Sequence, residues 1–191
     1  MSDIPNDVQQ AGTLGVATRA RQELSVALRD DVAVTHIAAR QGSRAAVDER
    51  AWVTLGVHLP SSPRAVESVS MMVVWAGPDQ WLVIQPQTAG ADPSIELAKS
   101  FDGLASVVDV SDSRAIFRVS GASAKDALSR GIPIDFHDRV FKPGDVAITH
   151  FAHLGVTLWR LTDGQGYDIA CARTFSANFL DWLGAATGDP H

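Results

Sequence analysis

Six histidines, one cysteine and several tight acid–serine–arginine turns are the groups in this chain with chemistry to offer. His150 and His153 stand three apart in a strand-like context. Strand alternation puts residues two apart on one face, so this pair converges on a ligand only if the chain bends at Ala152. His36 and His58 sit in distant segments and His191 ends the sequence. Neither Cys-x-x-Cys nor His-Glu-x-x-His spacing occurs, which leaves a histidine-based metal hydrolase with little to stand on. In Asp135-Phe136-His137-Asp138-Arg139 two carboxylates flank an imidazole and favour its charged form. That serves an acid–base pair or a docking loop, but also a loop tied down by its own hydrogen bonds, which is the simpler reading. The turn Asp109-Val110-Ser111-Asp112-Ser113-Arg114 likewise carries hydroxyls and carboxylates suited to their own backbone. With Arg114 and Arg118 four apart on one side of a strand, it can alternatively face a partner. Cys171 lies in an apolar strand, where a thiol is usually inert packing. No Gly-x-Ser-x-Gly elbow, Gly-x-Gly-x-x-Gly loop or Walker loop is present, and Gly164-Gln165-Gly166 reads as a hairpin turn.

The elements that must position these groups follow from periodicity. Residues 1–31 read as a tail, within which Thr18–Asp30 has the pattern of a short amphipathic helix. Val32–Gln41 alternates as a half-buried strand. Gly42-Ser43 opens a helix with Ala46, Val47, Ala51 and Leu55 on one face and Gly56 as its stop. His58–Ser68 is a Pro/Ser loop. Ser70–Pro86 is a hairpin about Gly77-Pro78-Asp79-Gln80. Asp92 caps a short helix with Pro93 at its first position. Ser106–Val110 and Ser113–Ser120 are strands, and Gly121 leads into a helix ending near Gly131. Residues 146–172 supply two or three antiparallel strands, and 174–186 close as a helix burying Phe175, Phe179, Leu180, Trp182 and Leu183.

In this layout the chain repeats itself. Strand end, Gly-Ser, helix and Gly recur from Gly42 to Gly121. Apolar strand, turn and second strand recur with Trp75 matched to Trp159 and Trp81 to Tyr167. The expected fold is α+β: two ferredoxin-like β-α-β-β-α halves with antiparallel-rich sheets and helices on one face. The first lobe is 32–111 and the second 112–191, both in one compact domain.

Composition sets outer bounds. The 191 residues, 46% hydrophobic and 20% charged, describe an ordinary globular chain. A net charge of −6 argues against a partner held by phosphate neutralisation, so no nucleic acid is expected. No apolar run approaches the roughly 18 residues of a membrane span. The polar first residues show no secretory pattern, and a lone cysteine excludes an internal disulfide framework. The expected location is bacterial cytoplasm. Lysine appears only at positions 99, 125 and 142 among 16 basic residues; codon bias in a GC-rich genome is the simpler reading of this arginine excess, and use at interfaces is the other. Any exposed tryptophan would be a good interface anchor.

The wording of residues 70–185, and more weakly 32–69, resembles the gamma subunits of heterotetrameric sarcosine oxidases. The resemblance is carried by Gly77-Pro78-Asp79-Gln80-Trp81-Leu82-Val83, Val108–Arg114, Arg118-Val119-Ser120-Gly121, Gly131–His137, Phe141-x-Pro143-Gly144 and Ala172-Arg173-Thr174-Phe175. It implies a fold similar to the folate-binding part of the glycine-cleavage T-protein. It also implies a place beside alpha, beta and delta subunits, in a complex that oxidatively demethylates sarcosine and passes the one-carbon unit to tetrahydrofolate. FAD, FMN, NAD, tetrahydrofolate and zinc are then held by the other subunits, with no cofactor, metal or catalytic residue assigned to this one. Asp109, Ser111, Arg114, Arg118, Asp135, His137 and Arg173 are its candidate subunit-contact residues, with the alpha subunit the nearest partner. Two alternatives remain: a stand-alone folate-binding or one-carbon-transfer module, and a gamma subunit serving an oxidase or dehydrogenase for another secondary amine or cyclic amino acid.

Overall fold

The structure is a computed structural model that describes residues 24–90 and 92–187. Among the described residues ten strands form two five-stranded antiparallel sheets. The first unit runs β2 (Val32–Ala39), α1 (Arg44–Leu55), β3 (Ala65–Glu67), β4 (Met72–Gly77), β5 (Gln80–Pro86), α2 (Pro93–Ser100) and β6 (Ala105–Asp109), in sheet order β3-β4-β5-β2-β6. The second runs β7 (Arg114–Ser120), α3 (Ala124–Ser129), β8 (Val146–Phe151), β9 (Leu154–Arg160), β10 (Gly166–Ala172) and, after a 3-10 turn, α4 (Ser176–Thr187). Its sheet order is β1-β7-β10-β9-β8, where β1 is Ser25–Leu28.

Local chemistry explains the element ends. Asp92 accepts the Ser94 N–H at 2.9 Å with Pro93 in the first helical turn, a side-chain cap on α2. Gly56 ends α1 at φ 74°, where a Cβ would be strained. Each sheet buries one face under its own helices. Ile37, Val73, Trp81 and Val83 pack on Val47, Ala51, Leu55, Leu97 and Phe101. Phe117, Val119, Leu158, Tyr167 and Ile169 pack on Leu128, Phe179 and Leu183. The opposite faces meet each other through Val34, Val74, Leu82, Ile84, Ile116, Val146, Trp159 and Ala170. The result is helices, sheet, sheet, helices, with three apolar layers between.

The duplication extends to register. Ile37 opposes Trp81 in the first sheet and Val119 opposes Tyr167 in the second. Both pairs lie on the helix-covered faces. The sheets join at their β3 and β8 edges, where Ala65 N–H donates to Gly144 O at 2.7 Å and Val146 N–H to Pro63 O at 3.0 Å. Arg64 and Asp145, between them, form an ion pair. Arg64 O accepts from Trp75 N–H, and Asp145 O accepts from Arg160 N–H.

That geometry corrects one expectation. Trp75 corresponds to Arg160, not Trp159, because each opposes the aromatic residue second in the next strand, Trp81 or Tyr167. A one-residue slip reverses the face of a strand, so Trp159 enters the inter-sheet layer at the place of Val74.

Four further expectations change. The helix proposed for Thr18–Asp30 is not formed over its described part: Ser25–Leu28 is strand β1, while residues 18–23 of that helix, with the rest of 1–23 in the expected tail, lie outside the described residues. β1 pairs antiparallel with β7, filling the edge that β6 fills beside β2. The second sheet has no strand after α4 among the described residues, and the β7 backbone takes its partner from the chain before β2. The His58–Ser68 loop contains the short strand β3, because its backbone is needed at the sheet junction. Ala46 and Phe175 are exposed, on the solvent side of α1 and in the turn ahead of α4. The helix from Gly121 is also shorter than expected, Ala124–Ser129.

Since β1 completes the sheet, a chain beginning at Asp30 should be less stable than one beginning at Leu24 by more than about 2 kcal/mol. Urea denaturation of the two chains, followed by tryptophan fluorescence, measures the difference.

Candidate functional site

Four of the seven residues singled out by sequence gather around one turn. The Asp109 carboxylate accepts the Ser111 N–H at 2.9 Å and its hydroxyl at 2.6 Å. Ser111 Oγ in turn accepts the Val34 N–H at 2.9 Å, tying the turn to β2. Arg173, just past β10, donates from Nη2 to the carbonyls of Ser111 and Arg114 at 2.9 Å each, and from Nε to Asp112 O at 3.2 Å. Its own N–H bonds Ser113 O at 2.9 Å. These side chains satisfy a connection that would otherwise leave several carbonyls unpaired between the two sheets. Arg114 starts β7 from the same turn, and its half-buried side chain points into the gap between the sheets.

The other three lie elsewhere. Asp135 accepts the His137 N–H at 2.8 Å, and His137 Nδ1 accepts the Arg139 N–H at 3.2 Å, so this exposed loop is anchored by its own side chains. Arg118, on the same face of β7 as Arg114 but at the other end of the seam, grips Asp168 with two bonds of 2.8 Å. Asp168 is 4% exposed, and Arg29 approaches it at 3.6 Å while holding Asp31 at 2.6 and 2.9 Å. The hydrogen bond to Asp168 raises the Arg118 pKa, and the bond from Arg29 lowers that of Asp31. Sequence reasoning missed this network. Its signal was Asp168 itself, a carboxylate inside the apolar run Gly166–Ala172.

The remaining candidates take ordinary places. His150 is exposed on β8 opposite Gly155, and the chain does bend at Ala152, at φ 53°. Among the described residues no three of His, Cys, Asp and Glu stand close enough to hold a metal ion; His191 lies outside them. Cys171 is fully buried, and desolvation raises its thiol pKa. Trp81 and Trp159 are core, whereas Trp52 is 55% exposed on α1 and stacks on His58 at 4.9 Å.

Two open cavities accompany these groups. A cleft of about 390 Å³ enters the seam between the sheets and is lined by His36, Gln80, Leu82, Arg114, Ile148 and Thr157 among others. A smaller hollow of about 330 Å³ on the outer side of the second unit holds Arg160 and Asp138, which pair at 2.9 Å.

A duplicated α+β protein, its polar turns occupied in bonding its own backbone, is the class that this geometry defines. The T-protein of the glycine cleavage system has that architecture: the aminomethyltransferase T structure from Bartonella henselae matches 87% of this chain and 46% of its own, with TM-score 0.64 at 10% identity. The chain belongs to the sarcosine oxidase gamma subunit family, whose model matches residues 37–189. Sarcosine oxidase subunit gamma from Corynebacterium sp. (strain P-1) is 30% identical over 164 residues, 83% of this chain and 78% of that protein. Its counterpart from an Arthrobacter species is 29% identical over 162 residues, with the same coverage. A chain of the heterotetrameric sarcosine oxidase structure from Corynebacterium sp. U-96, in complex with pyrrole 2-carboxylate, shares the fold at TM-score 0.75 and 24% identity, covering 88% and 86% of the two chains.

Two predictions follow from the geometry of the seam. Asp168→Ala leaves Arg118 and Arg29 without their buried carboxylate. Because Arg118 is 37% exposed and partly rehydrates, the loss should be about 1–3 kcal/mol rather than the full cost of an orphaned buried charge. Replacing the pair together, Arg118→Met with Asp168→Leu, should recover much of it, as read from urea midpoints. His36 behaves differently. Desolvation, and then the Arg114 charge, hold its pKa below the ordinary 6.5, against a hydrogen bond with Gln80. The unfolded chain therefore binds the proton more readily, and the stability that His36 contributes is complete above 6.5 and lost as pH falls through and below that value. The His36→Asn variant should lose less stability than the parent between about pH 7.5 and pH 5.

Proposed function

We propose that this chain is the non-catalytic gamma subunit of a heterotetrameric sarcosine oxidase, in which it docks on the alpha subunit and stabilises the assembly. Membership of the gamma family along most of the chain is the observation that carries the reading. The chain spans 78% of the length of its curated relatives, so the part compared is the greater part of such a subunit. On this reading the complex oxidises sarcosine to release its N-methyl carbon for transfer to tetrahydrofolate. FAD, FMN, NAD, tetrahydrofolate and zinc reside in the alpha, beta and delta subunits, and the assembly works in the bacterial cytoplasm. No helix among the described residues is long and apolar enough to cross a membrane.

The side chains support a docking role. Asp109, Ser111, Asp135, His137 and Arg173 hold their turns in fixed shapes at the surface, so the turns can be presented to a partner at little ordering cost. Trp52 and its neighbour Val53 project from α1, and an exposed tryptophan is a strong interface anchor.

Affinity-tagged chain expressed in its native host should co-purify with an FAD-containing amine oxidase of four different subunits that turns over sarcosine. The purified chain alone should show no such activity. Sarcosine oxidation by the isolated chain, or recovery of the chain free of partners, would overturn the reading. Trp52→Ala should reduce the co-purified fraction without lowering the stability of the free chain, measured by urea denaturation, by more than about 0.5 kcal/mol.

A further inference from the structure

The seam between the two sheets ends differently on its two sides, although the halves are copies. At one end Arg118 and Arg29 surround Asp168, and Arg29 also holds Asp31, so two cations are neutralised by two carboxylates of the chain itself. At the corresponding places in the first sheet stand His36, for Arg118, and Leu82, for Asp168: each pair sits opposite itself in register, His36 against Leu82 and Arg118 against Asp168. The end that contains His36 and Leu82 is open, and it is the cleft of about 390 Å³.

A cation enters this open end too. Arg114 reaches in from β7, and its charge is felt by His36 across the seam and by Cys171 behind it. The cleft lining contains no Asp or Glu. Among the described residues no carboxylate forms an ion pair with Arg114, in a chain whose net charge is −6. The polar part of the lining is His36, Gln80, Thr149 and Thr157, and His36 is hydrogen-bonded with Gln80. Ala76, Leu82, Val110 and Ile148 form an apolar wall. A fixed charge in a partly desolvated, acid-free cleft attracts an anion, and a guanidinium fork matches a carboxylate bidentately. The apolar wall suits a ligand body of a few carbons rather than an inorganic ion, and the volume lies within the range of small-molecule sites.

We propose that the inter-sheet cleft is a binding site for a small organic carboxylate, whose carboxylate pairs with Arg114 and whose body lies against Leu82, Val110 and Ile148. The ligand supplies at this end of the seam the negative charge that Asp168 supplies at the other. The site is independent of the docking role, and either can stand if the other falls.

The test uses the full chain and benzoate as probe, with neutral benzamide as its isostere. Benzoate should shift the Arg114 Nε–Hε and His36 ring NMR signals saturably at concentrations of about 0.1–10 mM, while benzamide should not. Arg114→Gln should weaken benzoate binding at least about tenfold. Ile148→Trp is the second variant. It adds bulk at the mouth of the cleft, at a position already 52% exposed, and should block benzoate while leaving the fold intact. Absence of a saturable shift, equal responses to benzoate and benzamide, a response to inorganic phosphate with none to benzoate, or retention of binding in both variants would each refute the site.

Discussion

The architecture depends on the closure of two sheets against each other at the β3–β8 junction. Each five-stranded sheet covers one face with its own helices and leaves the other apolar, so neither unit is complete alone. Val34, Val74, Leu82 and Ile84 need Ile116, Val146, Trp159 and Ala170 as cover. Apolar attraction has no direction and would allow the sheets to slide. The reciprocal bonds of Ala65 to Gly144 and Val146 to Pro63 remove that freedom by fixing two backbones in register. Gly144, at φ 79°, permits the approach: a Cβ there would meet the Arg64 guanidinium at 2.9 Å and Ala65 O at 3.2 Å. The Arg64–Asp145 pair closes the joint from the solvent side.

That joint accounts for the use of polar residues elsewhere. Two copies related by a shared seam need connections that cross from one sheet to the other. The 109–114 turn is such a crossing, running from the last ladder pair of β6 to the first of β7. The Arg173 guanidinium donates to the carbonyls of Ser111, Asp112 and Arg114 and its backbone N–H to that of Ser113, while Ser111 returns a bond to β2. An arginine suits this task because its fork of donors reaches several acceptors from one anchored position. Arginine thus has an internal structural use in this chain, apart from codon bias or any use at an interface.

Most of the element plan could be read in the sequence because it rests on local signals: alternation in β2 and β5, the Asp92-Pro93 start of α2, the Gly56 stop of α1, and the turn at Gly77–Gln80. The duplication could also be read, since Gly42/Gly121 and Trp81/Tyr167 keep their places. What escaped is non-local. The strand character of Ser25–Leu28 comes from the unpaired β7 edge, more than eighty residues away, which outweighs a weak amphipathic pattern. The Trp75–Trp159 match failed because the matched residue type was followed rather than the register, and a tryptophan can serve either face. The site residues divide in the same way. The anchors at Asp109, Ser111 and Asp135 follow from turn chemistry, whereas the Arg118–Asp168–Arg29 network needs three strands brought together.

The two ends of the seam show how a duplicated fold diverges at little cost. Substitution at one equivalent pair, a cation and carboxylate in one copy against imidazole and leucine in the other, changes a filled polar plug into an open cleft without altering a single ladder pair. The plug brings its own neutrality and closes its end. Among the described residues the cleft lining brings a guanidinium and no carboxylate, and partial burial between the sheets makes such a charge act more strongly than in open water. Two copies of one folding unit therefore end their shared interface in different ways, one with a paired cation and the other with a cation that no described carboxylate meets. The same seam that holds the subunit together is where it has room for something besides itself.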